Sequence, residues 1–318
     1  MRTVIKNIVR AKEFTLIAVT AVVLIIFQAI NRNYLSLDNI RNIFNSAFVA
    51  GTIAVGMSCL LISGQLDLSA GNTAMMSGVL IAFLLLGGMP WVPALAVTLL
   101  FGAATGAVNA FLVNGLGFTA FISTLGVSTI YGGLALVVTN AQNVSIGNKS
   151  FWALGSINVF GVFPLPFFVM AVLMVIYGVV LAKSRFGRHI YMVGGNANTA
   201  RLAGINPKKV TTVLFINNSV IASLVGSLMA ARMHMGSPSA VSGADLDAIT
   251  AAVLGGISFI GGSGSMLGAF CGIMLFTSFQ NGLIVAGLDS YYRVVAKGIL
   301  LIAALTLDFY RERARANG

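Results

Sequence analysis

Apolar residues run in blocks of about twenty along most of the chain, broken by short polar stretches, which is the spacing of helices that cross a bilayer. The blocks fall near 14–30, 47–63, 68–86, 91–113, 118–139, 161–182, 211–231, 249–262, 265–286 and 291–309. They predict an all-α polytopic membrane protein, a single domain over 1–318 with about ten transmembrane helices. The blocks within 47–86 and 249–286 are divided by SGQLDLSAG and GGISFIGGSGS. These dividers read either as tight turns or as broken, re-entrant helices.

Composition removes the soluble alternatives. Hydrophobic residues make up 58% of the chain and charged residues 8%, too few charges to cover a water-facing surface. Mean hydropathy is +0.94. Thirty-six glycines suit helices that approach closely in lipid.

The net charge of +11 is distributed unevenly. Arg2, Lys6, Arg10 and Lys12 precede the first block, which is too long for a signal peptide and lacks a clear small-residue cleavage site, so it reads as a retained helix. With ten crossings, those four cations share a side with Lys183, Arg185, Arg188, Arg201, Lys208 and Lys209 and with Arg311, Arg313 and Arg315. The opposite side holds only Arg32, Arg41, Lys149, Arg232 and Arg293. The positive-inside rule then places both termini and the 183–210 loop in the cytoplasm. The charge reports orientation and anionic lipid, not nucleic acid.

The longest polar stretch, Arg185 to Lys209, is RFGRHIYMVGGNANTARLAGINPKK. Asn196 or Asn198 can cap a short helix through Ala200, Arg201 and Leu202. Gly204 is a natural left-handed terminator, and Pro207 stops continuation. Such a stub offers Leu202 and Ile205 as apolar contacts and Arg201 as a charge to a groove on a partner. The same residues also read as a solvated loop whose cations only set topology.

Ionisable groups at membrane depth are costly and therefore become functional candidates. They are Asp67 and Lys297, with Asp247 at a block edge. Asp67 and Ser69 stand just before Gly71 and Asn72 at a helix start, where an acid either satisfies free N–H groups or lines a transport path. Lys297 is expected to pair with Asp67 or Asp247. Asn109, Asn217, Asn218, Gln280 and Asn281 suit bonds between helices or a hydrated path. Gly255, Gly256, Gly261, Gly262 and Gly264 indicate unwound backbone or close packing.

Cys59 and Cys271 fall in apolar blocks, and His189 and His234 in separate loops, so no metal site is expected. No phosphate-cradling GxxxxGK[ST] occurs, so ATP hydrolysis would need another subunit. The two interruptions suggest inverted pseudo-repeats near 47–139 and 211–309 around a central path. A secondary transporter or channel for a small polar solute, working alone, is the alternative. It would concentrate carboxylates at mid-membrane, where few are available.

Four segments resemble the membrane permeases of bacterial ABC importers for monosaccharides, of the ribose, xylose and autoinducer-2 type, in the branched-chain amino acid and monosaccharide permease superfamily. They are GQLDLSAG from Gly64 to Gly71, GRHIYMVGGNANTARLAGI from Gly187 to Ile205, LDAITAAVLGGISFIGGSG from Leu246 to Gly264, and YYRVVAK from Tyr291 to Lys297. The resemblance implies a fold like the vitamin B12-type importers and a location in the bacterial inner membrane. It implies a second permease copy or paralogue, a cytoplasmic ATP-binding subunit that holds ATP and Mg, and a periplasmic or lipid-anchored sugar-binding protein. Gly195, Asn196, Ala200, Arg201, Gly204 and Ile205 would lie in the coupling helix on the ATPase. The DLSAG and LGG segments, with Gly255 and Gly256, would line the path. Gln65 departs from the family's usual second glycine, and the Asp-Leu-Ser that follows favours sugar over branched-chain amino acids.

Overall fold

The computed structural model describes residues 12–316. Arg2, Lys6 and Arg10, counted above for topology, lie outside the described residues. The principal helices are α1 (Lys12–Ile30), α2 (Leu37–Ile62), α3 (Ala70–Leu86), α4 (Trp91–Ala110), α5 (Ala120–Thr139), α6 (Lys149–Ser156) and α7 (Leu165–Lys183). They continue as α8 (Arg185–Gly195), α9 (Ala197–Leu202), α10 (Pro207–Met233), α11 (Ala244–Leu254), α12 (Met266–Val285) and α13 (Ser290–Ala316). A π-helical turn, Phe111–Gly115, extends α4.

Among the described residues six stretches are long and apolar enough to cross a membrane: α2, α4 with its π turn, α5, α7, α10 and α12. Phe14–Ile30 and α3 are shorter apolar helices. Burial sorts them. In α2, 83% of the most apolar window is inside the molecule, whereas α5 and α7 bury 28% of theirs. The exposed remainder is Phe121, Ile122, Val137, Val175 and similar side chains, an apolar exterior that only lipid or another apolar surface covers.

Two elements begin earlier than hydropathy indicates. Helix α2 starts at Leu37, ten residues ahead of the apolar block, because Ser36 caps it by accepting from the Asn39 N–H at 3.3 Å. Helix α11 starts at Ala244 and stops at Leu254, so the eighth block is a half-length helix followed by irregular backbone. The all-α expectation needs one small addition. Two antiparallel ladders, β1 (Val144–Ser145) with β4 (Met235–Gly236) and β2 (Asn158–Val159) with β3 (Phe163–Pro164), close the loops on one face.

Contacts identify that face and its opposite. Segments 140–164 and 234–243 meet through β1 and β4, and Arg41 reaches the Gly161 carbonyl at 2.8 Å. On the opposite face Asn114 and Lys208 bond to each other, and Gly194 abuts Ile62 and Gly262. The 183–209 cations all belong to this second, basic face.

Candidate functional site

Helix α2 ends in a turn that explains the first interruption. Gly64, at φ +77°, takes the left-handed position, the Gly64 N–H bonds to the Leu61 carbonyl, and the Gln65 N–H bonds to the Leu60 carbonyl, both at 2.9 Å. This is a Schellman end, which demands glycine only at the first of the two positions. Gln65 supplies its N–H and needs no special backbone. The departure at Gln65 thus leaves the turn intact.

The chain then passes inward to Asp67, which is fully buried. Asp67 Oδ1 accepts the Ser69 N–H at 2.8 Å and the Ser69 hydroxyl at 2.5 Å, and Oδ2 accepts from Asn218 Nδ2 at 3.0 Å. Asn109 Nδ2 reaches Ser69 Oγ at 2.8 Å and Asp67 Oδ1 at 3.4 Å. The Leu68 N–H donates to Thr124 Oγ1 at 3.0 Å. One short loop is therefore tied to α4, α5 and α10. Asn218 stands ten residues beyond Lys208 in α10, about 15 Å deeper, or half the roughly 30 Å hydrocarbon thickness.

Neighbouring predicted residues join other contacts. Asn72 Nδ2 bonds to the carbonyl and the hydroxyl of Ser128, each at 2.9 Å. A side chain at Gly71 would meet Asp245 Oδ1 at 2.9 Å, so the start of α3 abuts the first turn of α11. Asp247 lies in that same turn and takes Lys297 Nζ at 2.6 Å. Of the two partners open to Lys297, this is the one it meets. A double-mutant cycle on D247N and K297Q, read by thermal unfolding in detergent, should give a coupling of about 1 kcal/mol; additive effects would remove the pair from the structural account.

The second interruption contains both devices its glycines suggested. Gly255 is close packing, since a Cβ there would sit 2.3 Å from the Gly268 carbonyl oxygen. Gly256, Gly261, Gly262 and Gly264 all have positive φ, so they are unwound backbone. The Gly262 N–H bonds to the Ile62 carbonyl at 2.8 Å. The two interruptions thus meet each other on the basic face.

Against this meeting point lies the end of α8. A Cβ at Gly194 would be 1.7 Å from the Ile62 oxygen and 2.7 Å from the Gly262 nitrogen, which leaves room for hydrogen alone. Tyr191 adds a bond from its hydroxyl to the Gly264 carbonyl at 2.8 Å. The region expected to be a loop is therefore a helix with Phe186, Ile190 and Val193 turned to the core, then a break at extended Asn196 before α9. Asn196 caps α9 by accepting from the Asn198 and Thr199 N–H groups at 2.9 and 3.0 Å. Gly204, φ +82°, terminates it. Pro207 opens α10 instead of merely stopping α9, with Asn206 as its cap, as proline's fixed φ and missing N–H favour.

The predicted coupling residues divide by exposure. Gly195, Asn196, Arg201 and Gly204 are exposed, Leu202 is 91% exposed, and Ala200 is buried. Ile205 rests partly on the core, leaving Leu202 as the open apolar group. Sequence reasoning missed Thr124, Ser128, Asp245, Tyr191 and Gly194. The stripe Phe186, Ile190, Val193 at helical spacing was the available signal for the last two.

Residues 39–305 match the family model described as branched-chain amino acid transport system / permease component. The chain is 33% identical to the ribose import permease protein of Bacillus subtilis, covering 90% of this chain and 89% of that protein. It is 34% identical to the D-allose transport system permease protein of Escherichia coli over 91% and 89% of the two chains. With the L-arabinose transport system permease protein of Escherichia coli it shares 31% identity over 95% and 92%. No solved structure matches the chain.

Proposed function

The chain belongs to the family of branched-chain amino acid transport system permease components, and from that premise we propose that it is the membrane-spanning subunit of an ATP-driven importer for a monosaccharide of the pentose or hexose class. The relatives' names for ribose, allose and arabinose support the substrate class. The missing phosphate-binding loop assigns hydrolysis, with ATP and its Mg, to a cytoplasmic ATP-binding subunit. A second permease copy or paralogue and a periplasmic or lipid-anchored sugar-binding protein complete the machine. Ten crossings with a B12-importer-like arrangement put the basic face and both termini in the cytoplasm, with the chain in the bacterial inner membrane.

The observation that carries this reading is the seat of α8 on both helix breaks. Helix α9 faces outward beside a cleft of about 480 Å³ bordered by Arg201, Gly204, Asn206 and Lys208, which suits a partner's groove. Force applied to α9 passes through α8 to Ile62 and Gly262 without a flexible side chain between. Movement there is relayed to α3 and to α11, α12 and the Asp67 loop, which supports alternating access with the DLSAG and LGG segments along the path.

The test is uptake and ATPase activity of the reassembled importer carrying R201A and G204V. Both variants should stay in the membrane and continue to support hydrolysis while uptake falls at least tenfold, the two activities having been uncoupled. Uptake by the purified chain alone, driven by a sodium or proton gradient in liposomes, would overturn the proposal in favour of a secondary transporter.

A further inference from the structure

The stretch between Asp67 and Asp245 contains no acidic residue, yet it holds Lys149, Lys183, Arg185, Arg188, Arg201, Lys208, Lys209 and Arg232. Six of these eight, all but Lys149 and Arg232, stand on the basic face, where an anionic surface outside the chain suits them. Two of them, Lys208 and Lys209, border a cleft of about 590 Å³ between the end of α4 and the start of α10. Neither forms an ion pair among the described residues.

The cleft has two unlike halves. At the basic face, Lys208 Nζ is held by the Asn114 carbonyl at 2.7 Å, an oxygen presented by the π-helical turn, while Asn114 Nδ2 bonds to Thr212 Oγ1 at 2.9 Å. Toward the membrane interior the walls become Ala107, Phe111 and Val213, and Phe111 and Val213 are exposed on the apolar exterior. Ala107 is seven residues up the helix from Asn114, about 10 Å along the bilayer normal. A cationic mouth at the interface above an apolar furrow of that length matches a phosphate head and the upper part of an acyl chain.

We propose that this cleft is a binding site for an anionic phospholipid, its phosphate held between Lys208 and Lys209 and one chain lying along Phe111 and Val213. A water-soluble partner does not fit this cleft, because its inner half opens into hydrocarbon. The site adjoins the outward-facing α9 surface, with Asn206 and Lys208 bordering both clefts, but its apolar half at Phe111 and Val213 belongs to this cleft alone. An ordered lipid there would brace the α4–α10 contact against the Asp67 loop, since Asn109 and Asn218 belong to those two helices.

The test uses the full-length chain in phosphatidylcholine vesicles carrying a photoactivatable phosphatidylglycerol, with labelled peptides identified by mass spectrometry. Label should fall on 107–115 and 207–213, drop roughly tenfold or more in K208Q/K209Q, and persist in K208R/K209R. V213W, which fills the furrow and leaves both cations, should also lose it. Four results would overturn the site: label unchanged in K208Q/K209Q, equal labelling by a photoactivatable phosphatidylcholine, loss of label to added inorganic phosphate at matched ionic strength, or cross-linking of Lys209 to acidic side chains of an ATP-hydrolysing subunit in native membranes. The first three read lipid occupancy in the isolated chain, so failure there leaves the transport proposal standing.

Discussion

Replacing Gly194 by alanine will abolish uptake, whereas the same change at Gly195 will be nearly silent. The two glycines are adjacent in the last turn of α8, but a Cβ at Gly194 would lie 1.7 Å from the Ile62 oxygen, and one at Gly195 meets nothing within 4 Å. The atoms in the way at Gly194 belong to backbone and cannot rotate aside. Relief must come from separating α8 from Ile62, Gly262 or both, which strains or opens the 2.8 Å bond between those two residues. Overpacking of this kind costs about 3 kcal/mol or more, a large share of the stability of a typical domain. Thermal unfolding in detergent measures that cost, and sugar uptake in the assembled importer measures the consequence. G195A should change stability by less than about 0.5 kcal/mol. If G194A were as stable and active as G195A, the seat of α8 would not be the route by which α9 moves the helix breaks.

The contrast between these neighbours also marks where sequence reading stops. Long apolar runs announce α5 and α7 closely, because a helix with most of its surface toward lipid has to be apolar throughout its length, and α12 as closely because most of its apolar window is buried in protein. Helix α2 is longer than its apolar run because Asp38, Asn39, Arg41, Asn42 and Asn45 depress hydropathy while remaining compatible with a capped helix. Asp245 and Asp247 hide the start of α11 in the same way. Helix α8 was obscured by glycine and by charge, although three inward apolar residues at helical spacing lay in plain view.

The site was legible as a set of residue types and largely illegible as contacts. Asp67, Asn109 and Asn218 all stand out as polar groups in apolar blocks, but the bond from Asn218 to Asp67 joins positions 151 residues apart. Nothing in spacing chooses that pair over others. The choice between Asp247 and Asp67 for Lys297 is likewise made by the placing of α13 against α11. Local chemistry fared better, since it depends only on residues within one or two turns: the cap, open between Asn196 and Asn198 in the sequence, falls on Asn196, and Gly204 terminates the helix as expected.

Asp67 is the second position where a single change should have a large effect, and two substitutions separate its roles. D67A removes the acceptor for the Ser69 N–H, the Ser69 hydroxyl and Asn218 Nδ2 at mid-membrane, where no bulk water replaces it. Leaving buried donors unpaired costs about 1–3 kcal/mol for each, so D67A should lose most of its folded yield along with uptake. D67N is different. Its amide oxygen can keep the Ser69 bonds, and its NH2 can face Asn218 after that side chain rotates by half a turn, presenting the Oδ1 atom that now has no partner. The brace between the loop and α10 therefore survives loss of the charge, and D67N should unfold within about 1.5 kcal/mol of the parent while retaining most uptake. Unfolding in detergent and transport by the reassembled importer distinguish the outcomes. A D67N protein as stable as the parent yet unable to transport would show that the negative charge itself acts on the sugar's path, and Asp67 would then be a pathway residue that also organises the loop.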